Sequence, residues 1–227
     1  MALAVILDMD GLLLDTEPIS MRVWKQAAQD LGYALDDEVC ERMIGVGQAG
    51  NKVMLLRHFG NEFPVDDLIG LAQASYREAL DADGVPHKPG LLAFVRFLDE
   101  RQIPRAVATS TATELARHKL RQARVLHHFE IVVGGEQVSR GKPDPDIFLE
   151  AAARLGHRPE DCVVLEDSGP GVRAAVAAGM RSILIPDGRE PGAEVRAAAH
   201  AVVDSLSAAR VVIERMMDSG YHGKTEE

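Results

Sequence analysis

The sequence predicts an α/β protein: a doubly wound, Rossmann-like parallel sheet core interrupted by an inserted all-helical domain. Three observations predict it. Apolar runs of strand length recur at residues 3–7, 106–108, 131–133, 163–165, 183–185 and 201–203. Each is nearly continuous rather than alternating, as expected of strands covered on both faces of a parallel sheet. Helix-period stretches lie between the later runs, and strand alternating with helix builds such a sheet. Finally, roughly a hundred residues separate the first run from the second, far more than one crossover helix needs.

The first run ends directly in Asp8-Met9-Asp10-Gly11. On a strand, residues i and i+2 point to the same side. Asp8 and Asp10 are therefore aimed together from a strand's C-terminal end, where α/β sheets bind their ligands. Two like charges that close are costly unless a cation or a shared proton relieves them. An acidic turn after an edge strand is the plainer alternative.

The long gap that follows carries helical patterning: Trp24, Ala27, Ala28 and Leu31, then Leu55, Leu56 and Phe59, then Leu68, Leu71 and Tyr76. The expected division is an α/β core of residues 1–16 and 83–227 and a helical cap of residues 17–82. Residues 83–90 form a turn-rich return linker. The insert starts a few residues after Asp10, so it is expected to lie over the site as a lid.

Beyond the second run come Thr109 and Ser110, at the entry to a helix whose backbone N–H groups suit an anion. Thr111 with Glu114 has capping-box spacing, so capping and anion binding both remain open for Ser110 and Thr111. After the third run, Asp144 followed by Pro145 reads as an N-cap and N1 proline, opening a helix with Phe148, Leu149, Ala152 and Leu155 on one face. Lys142 stands just before that helix, a poor place for a cation on dipole grounds, which suggests work on an anion; a solvated loop lysine is the alternative. After the fourth run comes Glu166-Asp167-Ser168-Gly169, either a second acidic pair or a helix cap by Asp167 or Ser168. The tail from Ser219 is polar and expected to fray.

Composition limits the function. The 227 residues carry a net charge of -10, which argues against general binding to nucleic acid or membrane surfaces, since both need a basic footprint. Cys40 and Cys162 are the two cysteines. They look unpaired, as in a reducing compartment. The N-terminal apolar run is too short for a signal sequence, and no stretch has membrane-spanning length. The expectation is a cytoplasmic protein, taken as a monomer because no coiled-coil seam is visible.

Taken in order, Asp8/Asp10, Thr109, Lys142 and Glu166/Asp167 each follow a strand. Together with D-M-D-G-L-L-L-D-T-E-P, G-K-P-D-P-D-I-F and L-E-D-S-G-P-G, this constellation resembles the haloacid dehalogenase-like hydrolase superfamily. It is most similar to the β-phosphoglucomutase-like phosphatase branch with an inserted helical cap, over roughly residues 3 to 215. The resemblance implies that Asp8 is the nucleophile of an aspartyl-phosphate, a covalent route that splits one hard displacement into two easier ones. It implies that Asp10 is the general acid and then the general base. Mg²⁺ would be held by Asp8, the backbone carbonyl of Asp10, Asp167, and Glu166 directly or through water. Thr109 and Ser110 would hold phosphoryl oxygens, with Gly11 and Thr111 beside them, and Lys142 would offset charge. The partner implied is a small phosphorylated metabolite, and the Asp at position 10 points to phosphate esters rather than halides or phosphonates.

Phosphomutases of that branch carry a His where this chain has Ser20, and an Arg in a cap loop that here reads Gly45-Val46-Gly47-Gln48. Gln cannot replace the bidentate charged grip of Arg on a second phosphate, so hydrolysis is expected over a phosphomutase reaction. Trp24, Gly45, Val46, Gln48 and Lys52 are the cap candidates for reading the leaving group. Residues 45–50 also spell G-x-G-x-x-G, but no strand precedes them, so a dinucleotide site is rejected. A phospho-accepting receiver module would share the Asp, Thr and Lys but lacks a helical insert and leaves Glu166-Asp167 without a role. His127 and His128 have no acidic or Cys partner at zinc spacing.

Overall fold

The computed structural model describes residues 3–43, 48–188 and 190–218. The first strand, β1 (Ala4–Leu7), is followed by four helices: α1 (Glu17–Asp30), α2 (Asp37–Met43), α3 (Gln48–Phe59) and α4 (Val65–Asp83). The chain then alternates as α5 (Leu91–Glu100), β2 (Arg105–Thr109), α6 (Thr113–Gln122), β3 (Ile131–Gly134) and α7 (Asp146–Leu155). It closes with β4 (Cys162–Glu166), α8 (Gly169–Ala177), β5 (Arg181–Leu184), α9 (Ala193–Ala198), β6 (Ala201–Val202) and α10 (Leu206–Asp218). Two compact units result: Met1–Asp15 with Pro86–Glu227, and Thr16–Val85.

The sheet belongs to the first unit. Its order is β3-β2-β1-β4-β5-β6, and every neighbouring pair is parallel. From β1 the chain moves to β2 and β3 on one side, then returns to β4 on the other. Such a reversal opens a crevice outside the carboxyl ends of the central strands. Leu7 lies level with Val107 and Leu165, so Asp8, Thr109 and Glu166 all emerge at that edge.

Packing holds the edge still. Alternate residues Ala4, Ile6, Ala106, Ala108 and Val164 share one core cluster with Ile147, Phe148, Ala151 and Ala152 of α7. The alanines leave room for α7 to approach the sheet, and Phe148 fills the space. Leu149, expected on this face, is 39% exposed: the buried stripe is Ile147, Phe148, Ala151 and Ala152. Helix α7 also starts later than expected. Pro145 is its N-cap residue, with no side-chain cap bond, and Asp144 instead pairs with Arg140 at 3.3 Å.

In the helical unit, α1 buries Ile19, Val23, Ala27 and Ala28, a stripe one position round from the expected Trp24–Leu31 face. Tyr33 meets Phe63 edge-on at 4.7 Å, and Phe59 stacks on Phe63 at 4.5 Å, which ties the end of α3 to the turn before α4. Leu71 of α4 is exposed. Both cysteines are free and buried. Among the described residues no helix is long and apolar enough to cross a membrane.

Candidate active site

Asp8 continues the sheet ladder one step past β1, its N–H donating to the Leu165 carbonyl at 3.0 Å. The chain then turns sharply: the Leu13 and Leu14 N–H groups both donate to the Met9 carbonyl at 2.9 and 3.0 Å. Gly11 makes this turn at φ +84°, where a side chain is strained. A Cβ there would also collide with the Asp167 carboxylate. The backbone conformation is what calls for glycine, since the Asp167 carboxylate is the end of a side chain.

Lys142 joins the strand ends. Its Nζ donates to Asp8 Oδ1, to Glu166 Oε1 at 2.5 Å and to the Ala108 carbonyl at 3.3 Å. It also lies 5.0 Å above the Phe148 ring. Burial works against the ammonium, but Asp8 and Glu166 beside it outweigh burial and hold its pKa above the ordinary lysine value. Glu166 is fully buried. Its Oε2 accepts from the Ser168 N–H at 3.1 Å and the Ser168 hydroxyl at 2.8 Å. Ser168 in turn caps α8, its Oγ accepting from the Gly171 N–H at 3.2 Å. Gly171 is the only residue type that fits there, because a Cβ would overlap the Glu166 carboxylate.

One ammonium among these acids is too little positive charge. Burial, with Glu166 and Asp10 adding and Lys142 opposing, pushes Asp8 up to about 7. Burial together with Asp8 and Glu166 pushes Asp167 up to about 9. Buried carboxylates left this hungry for positive charge suit a hard divalent cation, which takes oxygen ligands. Among the described residues no three His, Cys, Asp or Glu side chains gather as a ligand set. Asp8 and Asp167 are the raised carboxylates that could hold such a cation, and Glu166 stands beside them with its oxygens accepting from Lys142 and Ser168.

On the β2 side, Thr109 is buried, and its Oγ1 accepts from the Thr111 N–H at 3.1 Å, while Ser110 is exposed. The capping box of Thr111 and Glu114 does not form. Helix α6 begins two residues later, and the Thr113 N–H donates to both Glu136 oxygens at 3.0 Å. The Thr113 side chain beside it, with backbone N–H groups adding, holds Glu136 below the usual carboxylate range. Thr111 is thereby left to donate its hydroxyl to Asp10 Oδ2 at 2.7 Å.

Two residues near this centre escaped the sequence reading. Lys119 of α6 donates to Asp10 Oδ1 at 2.8 Å. Its signal was a lysine three residues after Ala116 and next to Leu120, inside the helix's apolar stripe. Asp187, after β5, accepts from Lys88 at 2.7 Å, and its Oδ2 would lie 3.3 Å from a Cβ at Gly11. No local pattern marks it.

The core unit thus brings together Asp8, Asp10, Gly11, Thr109, Ser110, Thr111, Lys142, Glu166 and Asp167. Trp24 and Lys52 belong to the helical unit, where Trp24 is half-buried on α1 and Lys52 pairs with Asp66 at 2.6 Å. Gly45 and Val46 lie outside the described residues, as does the Gln48 side chain.

The haloacid dehalogenase-like hydrolase family model matches residues 3–179. A phosphorylated carbohydrates phosphatase of Thermotoga maritima is 34% identical over 182 residues, covering 79% of this chain and 83% of that protein. A β-phosphoglucomutase of Bacillus subtilis is 30% identical over 193 residues, covering 82% of this chain and 84% of its own length. Among solved structures, a HAD family hydrolase from Deinococcus radiodurans with bound phosphate and sodium superposes with a TM-score of 0.78. It is 28% identical, and the match covers 99% of both chains.

Proposed function

The chain belongs to the haloacid dehalogenase-like hydrolases, and from that premise we propose that it is a phosphatase hydrolysing small phosphate monoesters through a phosphoryl group carried on Asp8. A phosphatase or phosphomutase is the class its relatives define. The observation that carries the finer reading is the Lys142 ammonium bound at once to Asp8 and Glu166 at the carboxyl edge of β1 and β4. A buried nucleophile is there fixed in place beside a charge that a phosphate needs.

In the first half-reaction an Asp8 oxygen forms a bond to phosphorus as the ester oxygen leaves, and Asp10 gives that oxygen its proton. In the second, Asp10 takes a proton from water as the water oxygen attacks phosphorus. Inorganic phosphate departs and the Asp8 carboxylate returns. Thr109 and Ser110 at the β2 end suit phosphoryl oxygens, and Lys142 offsets their charge throughout. Catalysis of this kind is mostly positioning and electrostatics. Asp8, Asp167 and the Asp10 carbonyl would hold Mg²⁺, which when bound offsets the repulsion between phosphate and carboxylate. Glu166 acts on Lys142. Ser20 and the sequence Gly45-Val46-Gly47-Gln48, in place of the mutase His and Arg, favour water as the acceptor.

The test follows phosphate release from a panel of small esters with Mg²⁺, including β-glucose 1-phosphate, while tracking glucose 6-phosphate. Released phosphate is expected. Glucose 6-phosphate without free phosphate would overturn hydrolysis in favour of a mutase.

The raised carboxylates also predict a pH dependence. Asp8 and Asp167 shift from the usual 3.8 to about 7 and about 9, so between those values the folded chain binds more protons than the unfolded one. Their contribution to stability is full below about 4 and is lost as pH rises through 7 and 9. Asp8 and Asp167 would exchange those protons for Mg²⁺ on holding it. Thermal melts should therefore show a larger Mg²⁺-induced rise in Tm at pH 8 than at pH 6; equal rises would contradict the assignment of these two carboxylates to the metal.

A further inference from the structure

Lys119 has no part in the chemistry above, yet it is only 5% exposed and lies on the buried face of α6 with Ala116 and Leu120. Lysine is rarely buried without a charged partner, and holding its long side chain still costs conformational entropy. Stability does not explain it, because a buried ion pair is often no better than a well-packed apolar side chain of similar volume. What the pair does achieve is geometric. The terminal torsion of an aspartate is broad, so a lone Asp10 would leave its carboxylate plane loosely defined. Here Oδ1 accepts from Lys119 at 2.8 Å and Oδ2 from Thr111 at 2.7 Å. The two donors come from different places, the turn after β2 and the interior of α6, and each takes a different oxygen. Neither alone would fix the plane.

We propose that Lys119 is a positioning residue for the reaction: with Thr111, it holds the Asp10 carboxylate in the plane from which a proton passes to the leaving oxygen and returns from water. The assignment rests on the phosphatase reading above. Misplacement of a reacting group by about 1 Å costs on the order of a hundredfold in rate. Loss of Lys119 should thus act on kcat rather than KM.

The test is a double-mutant cycle of Lys119→Met and Asp10→Asn, measured on an activated aryl phosphate. Its good leaving group keeps the Asp10→Asn rate measurable. Lys119→Met should lower kcat roughly ten- to a hundredfold with KM nearly unchanged, Lys119→Arg should recover part of the loss, and in the Asp10→Asn background Lys119→Met should cost nothing further. If Lys119→Met does not fold, Lys119→Gln, which keeps a donor in the buried position, enters the same cycle. Equal losses in both backgrounds, or no loss in the native one, would overturn the assignment and leave the phosphatase intact. A native chain that releases no phosphate would overturn the phosphatase reading and this assignment with it.

Discussion

Asp8→Asn is expected to abolish turnover, by roughly ten-thousandfold or more, because an amide is a far poorer nucleophile than the carboxylate assigned to attack phosphorus. The change keeps the side chain's shape and removes a carboxylate whose burial drives its pKa to about 7. The variant should therefore fold and, above pH 7, melt no lower than the native chain. Steady-state rates and melting curves on one preparation check both halves. Loss of activity with loss of fold would leave Asp8 a structural residue, and retained activity would remove it as the nucleophile.

Lys142→Met is expected to do the opposite to stability while also suppressing activity. It leaves Asp8 and Glu166 buried with their common cation gone. Breaking a buried pair from one side costs about 3–5 kcal/mol, read as a lower denaturation midpoint. The rate should fall on the order of a hundred- to a thousandfold, as when one preorganised charge-stabilising group is removed. Lys142→Arg should not restore it. The compact ammonium contacts two carboxylates and a carbonyl above the Phe148 ring, and a planar guanidinium has different reach and shape. Near-native rates in Lys142→Met would show that the Asp8 carboxylate needs no fixed cation from the protein.

Much of this centre was legible because strands make direction predictable. The apolar run set the edge at which Asp8 and Asp10 stand, although β1 ends at Leu7 and Asp10 belongs to the turn beyond it, where strand alternation no longer applies. Lys142 was legible as a cation placed against a helix dipole, and Glu166-Asp167 as acids at another strand end. What the pair's spacing did not contain was the division of labour. Only the burial of Glu166 and its bonds to Lys142 and Ser168 separate it from Asp167, which faces Gly11. Thr111 illustrates a different gap. Its spacing to Glu114 satisfied a local capping rule, but Glu136, distant in sequence, took the helix N-terminus and released Thr111 to Asp10. Local signals lose wherever a tertiary partner satisfies the same N–H. Asp187 has no local signal at all, since its nearness to Gly11 comes only from the β1-β4-β5 order of the sheet.

The central claim is a phosphoryl group carried on Asp8, and the most direct test is to quench the Mg²⁺-loaded chain with acid during turnover of a small phosphate ester and locate the phosphoryl by peptide mass. The mass of one phosphoryl group on the peptide containing Asp8, absent from Asp8→Asn, is the predicted result. Phosphate released at full rate with that peptide never modified would mean direct attack by water, and would contradict the account.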